Sequence, residues 1–186
     1  MLRVVFMRHS EPDQTFVDER KYKGQGLDLA QLTENGIQIA ETASHDSRLD
    51  DAELIVSSPY TRALQTAAII SKNRQLDIKV ELGLHEWIPD LTFNFSPCEW
   101  AVKVIKLSKE CKGVCPDNSD IQFENHTDLF NRAKRALMNY LDYKKIIVVT
   151  HGIVMRRFIL TPVIHFCGIF EIDFDESFSC VEFMDY

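Results

Sequence analysis

The sequence predicts an α/β fold in three layers, α/β/α, with a mainly parallel central sheet. Two observations lead there. Short apolar runs rich in Val and Ile, at residues 2–7, 53–57 and 146–150, have the length and continuity of strands buried on both faces. Between them lie longer segments with apolar residues at helical spacing, opened by Ser, Thr or Asn. Strands that alternate with helices are joined by crossovers, and crossovers leave neighbouring strands parallel.

The first strand, 2–7, runs straight into Arg8-His9. Residues 11–31 are polar, carry Gly24 and Gly26, and are expected to form a long loop. Thr33 is placed to cap a helix reaching Ser47, with Ile37, Ala40 and Ala43 or Ser44 on its core face. After the strand 53–57, Ser58-Pro59 reads as a helix start, because Ser accepts from free amides and Pro at the first helical position forfeits no hydrogen bond. That helix runs to Lys72 with Leu64, Ala67, Ala68 and Ile70 inward, and residues 77–82 alternate as a third strand.

Ser96-Pro97-Cys98-Glu99 is a capping box for a helix to Cys111, which Gly113 and Pro116 end. Asn125 or Thr127 caps a further helix to Asp142, with Leu129, Ala133, Ala136, Leu137 and Tyr140 inward. The strand 146–150 is followed at once by a short helix, 153–160. Segments 169–174 and 180–183 read as two last strands around Asp175-Glu176-Ser177. Residues 88–122 interrupt the alternation and read as a lid or insertion within one domain spanning 1–186.

Length and composition fit such a domain. A chain of 186 residues is long enough for one well-buried core, and 45% hydrophobic with 26% charged residues argues against disorder. No apolar stretch nears the roughly 18 residues of a membrane span. The start goes directly into strand-like sequence, so a cytoplasmic protein is expected. A net charge of −7 argues against general nucleic-acid binding, which needs a basic face. The five cysteines are odd in number and irregularly spaced, so reduced thiols are expected. Cys111 and Cys115 lack a second ligand pair at zinc-like spacing, so no metal is expected. Lys103, Lys106, Lys109 and Lys112 read as a solvated helix face, and Trp87, Phe93, Phe95 and Trp100 as the lid's own core.

The residues able to do chemistry cluster at strand ends. His9 follows the first strand and His151-Gly152 follows the strand 146–150, and open α/β sheets bind ligands beyond the carboxyl ends of their strands. Arg8 precedes His9, Arg62 falls in the first turn of a helix, and Glu86 follows the third strand, with Glu81 as a nearby alternative carboxylate. Two guanidiniums and two imidazoles around one point describe a phosphoryl site, because arginine offers parallel hydrogen bonds and a permanent charge. A neutral imidazole can attack phosphorus, and nearby cations keep it neutral. A carboxylic acid such as Glu86 can protonate the leaving oxygen. The remaining histidines, His45, His85, His126 and His165, read as surface or packing residues.

The segments Arg8-His9-Ser10-Glu11-Pro12, Leu32-Thr33-Glu34-Asn35-Gly36, Ser57-Ser58-Pro59-Tyr60-Thr61-Arg62-Ala63-Leu64-Gln65-Thr66-Ala67, Leu84-His85-Glu86 and Val149-Thr150-His151-Gly152 together resemble the histidine phosphatase superfamily, also called phosphoglycerate mutase-like. The resemblance implies that His9 is the nucleophile that is transiently phosphorylated. It implies that Arg8, Arg62 and His151 hold the phosphoryl oxygens, that Glu86 is proton donor and then base, and that no metal or organic cofactor is needed. Ser10 and Gly152, beside the two histidines, join them as candidate phosphate contacts. The expected substrate is a phosphorylated small molecule, with a phosphoprotein as the alternative. A mutase, or a weakly active phosphate-binding regulatory module, is the competing function. Two departures stand out: Ser10 replaces the family's usual Gly, and Trp87-Ile88-Pro89-Asp90 replaces its Gly-rich acidic segment.

Overall fold

The computed structural model describes residues 1–93 and 97–182, with the side chains of 97–101 left out. In chain order the elements are β1 (Leu2–Arg8), α1 (Gln14–Glu19), α2 (Glu34–Ala43), β2 (Leu54–Ser57), α3 (Thr61–Arg74), β3 (Ile78–Val80), α4 (Pro97–Glu110), α5 (His126–Met138), β4 (Lys145–Thr150), α6 (Gly152–Met155) and β5 (Ile169–Phe174). The sheet runs β3-β2-β4-β1-β5, parallel except for β5, which pairs antiparallel with β1 at one edge.

Strand periodicity sorts the sheet's side chains into two cores. Leu2, Val4 and Phe6 of β1, with Val56, Ile146 and Val148, face Leu129, Ala133 and Leu137 of α5. Val5 and Met7, with Ile55, Ile147 and Val149, face Ala40 of α2 and Ala63, Ala67 and Ile70 of α3. Helices therefore cover both faces, as parallel strands require. Among the described residues no helix is long and apolar enough to cross a membrane.

Register brings the functional ends together. Arg8 is opposite Thr150 in the β1·β4 pair, and Ser57 is opposite Val149 in the β2·β4 pair. His9, Ser58 and His151 thus leave one end of the sheet side by side. His9 N donates to Thr150 O at 2.8 Å and Ser58 N to Val149 O at 2.9 Å, extending the ladder past each strand.

Several sequence expectations need correction. The segment 11–31 contains α1 and a 3-10 turn at Gly24–Leu29. Thr33 does cap α2, accepting from Gly36 N at 2.8 Å, yet the helix stops at Ala43, and Ile37 is 45% exposed. Ala40 is buried as expected, and Gly36 takes the inward place expected of Ile37, because it packs against the Glu11 carbonyl where a side chain would not fit. Ser58-Pro59 does not start α3. Ser58 is still held beside β4, the N-cap position falls to Tyr60, and Ala68 is exposed. Asn125 occupies the N-cap position of α5, but its side-chain oxygen accepts from Cys115 N at 2.7 Å. The helix expected over 153–160 is confined to α6.

Residues 180–182 form no strand. Val181 N is taken by Arg157 O at 3.1 Å, and Phe183 lies outside the described residues. The Ser96 of the capping box and Phe95 also lie outside them, as do the side chains of Cys98, Glu99 and Trp100. Trp87 is buried in the main core against Phe123, whereas Phe93 is 43% exposed. The two ends of the segment 88–122 are tied together, with Glu124 N on Ile88 O at 2.9 Å and Leu91 N on Gln122 O at 2.8 Å.

Candidate active site

His9 and His151, each one residue past its strand, place their ring centroids 5.1 Å apart. Both are almost wholly buried. His9 Nδ1 lies 2.6 Å from Ser10 O, and a carbonyl can only accept, so Nδ1 carries the proton and Nε2 the lone pair. Burial and then the Arg62 charge push His9 down to about 3, which leaves it neutral and nucleophilic at physiological pH. His151 is driven well below its ordinary value by burial and by Arg62.

The two arginines approach from different elements. Arg8 ends β1, donates from Nη1 to Ile164 O at 2.6 Å, and lies 4.5 Å over the Phe166 ring. Its Nε is buried without a partner among the described residues. Arg62, the second residue of α3, is mostly buried, with Nη1 3.4 Å from Asp28 Oδ1 and its guanidinium 5.0 Å over Tyr60. Asp28 is raised to about 6, since burial outweighs Arg62 and the Tyr60 hydroxyl. Gly152 brings bare backbone to the place where Arg8 Nε and Arg156 Nη1 converge. A Cβ there would stand 3.8 Å from the first and 3.3 Å from the second.

Glu86 follows the short turn Leu82–Leu84. Its Oε1 accepts from Trp87 N at 2.8 Å and its Oε2 from Ile153 N at 3.4 Å. Burial raises its carboxyl above the usual range even though Arg62 and Arg8 pull it down, so it can hold a proton to donate. The loop that carries it is fixed at several points. Thr150 Oγ1 donates to Leu84 O at 2.8 Å, and Arg132 donates to Gly83 O, His85 O and Glu86 O at 2.7, 2.8 and 3.0 Å. Glu81 is engaged elsewhere, accepting from the Tyr140 hydroxyl at 2.8 Å.

The structure therefore gathers Arg8, His9, Arg62, Glu86, His151 and Gly152 around one end of the sheet. Ser10 has another engagement. Its hydroxyl donates to Gly36 O at 2.6 Å and its N–H to Thr66 Oγ1 at 2.9 Å, so both of its donors tie β1 to α2 and α3. Sequence reasoning missed Asp28, Tyr60 and Arg156, and it assigned Ser58 to a helix cap. Arg156 carried one readable signal, its spacing of one helical turn from Gly152. His85, read as packing, stacks on Tyr60 at 5.9 Å between ring centroids.

Comparison with known proteins bears on the fold and the family. The chain is 26% identical over 165 residues to a Proteus mirabilis protein named as a probable phosphoglycerate mutase, GpmB, covering 83% of this chain and 72% of that one. Bacillus stearothermophilus YhfR superposes with a TM-score of 0.70 at 21% identity, over 97% of this chain and 95% of the other. The native structure of mycobacterial glucosyl-3-phosphoglycerate phosphatase superposes with a TM-score of 0.64 at 20% identity, over 84% and 76%. At these identities the structural likenesses speak for the fold. The family model described as histidine phosphatase superfamily (branch 1) matches residues 4–165, and the chain belongs to that superfamily.

Proposed function

We propose that the protein is a phosphatase that hydrolyses a phosphomonoester through a phosphohistidine on His9, without a metal or organic cofactor. The observation that carries this reading is a neutral His9 whose Nδ1 is committed to Ser10 O, leaving Nε2 as nucleophile among Arg8, Arg62 and His151. Arg8 and Arg62 draw the phosphoryl oxygens and oppose the charge that builds on them. Nε2 attacks phosphorus, the bond to the substrate oxygen breaks, and Glu86 gives that oxygen its proton. Water then attacks phosphorus, Glu86 takes a proton back, the N–P bond breaks and phosphate leaves.

The substrate class we favour is a phosphorylated small molecule of the cytoplasm. The same phosphohistidine passed to an organic hydroxyl would make a mutase, so released phosphate is the deciding readout. The test is a panel of phosphorylated metabolites and phosphopeptides, assayed with wild type and His9→Ala in parallel. Phosphate release by wild type alone, with acid-labile phosphate trapped on His9, is the expected result. Full activity in His9→Ala would refute the mechanism, and transfer without phosphate release would make the enzyme a mutase. Binding of the panel with no turnover by wild type would leave a phosphate-binding module.

A further inference from the structure

Ser58 and His151 are both fully buried, and Ser58 Oγ lies 2.7 Å from His151 Nε2. Two atoms that close share one proton, and the surrounding hydrogen bonds decide which of them brings it. Tyr60 N donates to Ser58 Oγ at 3.3 Å, so one lone pair of the hydroxyl is taken. The hydroxyl's own proton has a single acceptor in reach among the described residues, His151 Nε2. If Nε2 were the protonated nitrogen, the Ser58 proton would be left without an acceptor in a buried place. His151 Nδ1, also buried and without a partner among the described residues, would then present a bare lone pair.

The opposite arrangement wastes less. The Ser58 proton goes to Nε2, the ring proton sits on Nδ1, and only that N–H awaits a partner. The ring has little freedom to escape this choice. Tyr60 meets it edge-on at 5.2 Å between centroids, and His9 lies against it at 5.1 Å. Ser58 is likewise fixed, because its N–H is bound to Val149 O on β4, the strand that delivers His151. Burial and the neighbouring Arg62 keep the ring neutral, so it holds one proton.

We propose that Ser58 sets the tautomer of His151, donating to Nε2 so that Nδ1 carries the ring proton and presents it to an oxygen of the phosphoryl group. The tautomer follows from the hydrogen bonds made by a neutral ring, while the identity of the oxygen rests on the phosphatase reading. His151 is then a neutral donor that complements the charged arginines, and Ser58 is a positioning residue that acts through it. The same logic governs histidines elsewhere, where the bond made by one ring nitrogen fixes what the other can do.

The experiment is two-bond proton–nitrogen correlation NMR on the full chain with labelled histidine at neutral pH. His151 is identified by the signals lost in His151→Asn. The expected wild-type ring is protonated on Nδ1 and bare on Nε2, and inorganic phosphate added to saturation shifts the Nδ1 proton. Ser58→Ala is expected to move the ring toward the Nε2-protonated form and to lower kcat by about 10²-fold, the size of losing one aligned donor. Ser58→Thr, which keeps the hydroxyl, is expected to restore both. A wild-type ring protonated on Nε2, a Ser58→Ala ring still wholly protonated on Nδ1, or an Nδ1 proton indifferent to saturating phosphate would overturn the proposal. An Nδ1-protonated, phosphate-responsive ring in an enzyme that keeps its activity after His9→Ala would uphold it and overturn the phosphohistidine mechanism instead.

Discussion

Arg132 and Glu124 grip each other across the loop that carries Glu86, Nε to Oε1 at 2.6 Å and Nη2 to Oε2 at 2.9 Å. Both side chains are largely buried. Glu124 also accepts from Ile88 N at 3.2 Å, and its carbonyl accepts from the Trp87 ring at 2.6 Å. With the three carbonyls that Arg132 holds, the pair brackets Glu86, the proposed proton donor, on both sides. Removing one partner of a buried pair strands the other charge, a loss of about 3–5 kcal/mol. Arg132→Ala is therefore expected to lose that much in urea unfolding. Arg132→Lys keeps the charge but not the fork, so it should lose less stability while kcat still falls. Stability and turnover both within error of wild type in Arg132→Lys would show that the loop does not depend on the fork.

Arg62 tests the phosphate cradle. It reaches the site from the first turn of α3, where its guanidinium also lies over the Tyr60 ring. Arg62→Ala is expected to reduce kcat by about 10²–10³ with far-ultraviolet circular dichroism unchanged, as for other aligned charge donors. Arg62→Lys should recover only part of this, because an ammonium cannot offer two parallel N–H groups. A kcat within threefold of wild type for Arg62→Ala would remove Arg62 from the site.

What the sequence revealed and what it hid divide along a physical line. His9 and His151 were legible because strand ends follow from local apolar runs, and parallel pairing then brings them together. Thr33 was legible as a cap because capping is a local bond. Ser58 was misassigned since its local pattern matches a cap, while the parallel pairing of β2 with β4 carries it to His151 instead. Asp28 and the Arg132–Glu124 pair are set by packing between distant segments, which leaves no periodic trace, whereas Arg156 showed only its spacing from Gly152. Ile37 was misplaced because Gly36, close against the Glu11 carbonyl, takes the inward place one turn before Ala40.

Ser10 can be separated from catalysis. Its side chain stands where the family usually has glycine, beside the proposed nucleophile, and its hydroxyl donates to Gly36 O. Ser10→Ala deletes one buried hydrogen bond, an expected loss of about 1–2 kcal/mol in chemical denaturation. Turnover of an aryl phosphate should stay within a few-fold of wild type. A drop of 10²-fold at unchanged stability would mean that Ser10 touches the substrate after all.

His9 makes the fold sensitive to acid. Its value in the folded protein is about 3 against an ordinary 6.5, so below 6.5 the unfolded chain binds a proton that the folded one refuses. Stability from this group is fully present above pH 6.5 and is lost as pH falls toward 3. At pH 4 the deficit approaches about 3 kcal/mol. His9→Gln cannot titrate, so its stability should fall by about that much less than wild type's between pH 7 and pH 4, as read from urea midpoints at the two values. Parallel stability profiles for the two proteins would contradict the burial of a neutral His9.

Asp28 acts in the opposite direction. Burial raises it from 3.8 to about 6, so the folded protein holds its proton more tightly than the unfolded chain does. Its contribution is favourable below pH 4 and is lost as pH climbs through 6, a change of up to about 3 kcal/mol. Asp28→Asn should therefore raise the unfolding temperature at pH 7.5 and leave it unchanged near pH 3.5. The same substitution removes the negative charge beside Arg62, which frees the guanidinium for a phosphoryl oxygen but loosens its aim. If freeing it dominates, inorganic phosphate will bind more tightly in calorimetry; if aim dominates, kcat will fall with binding unchanged. Because the nearest Arg62–Asp28 contact is 3.4 Å, long for a charged hydrogen bond, the first outcome is expected.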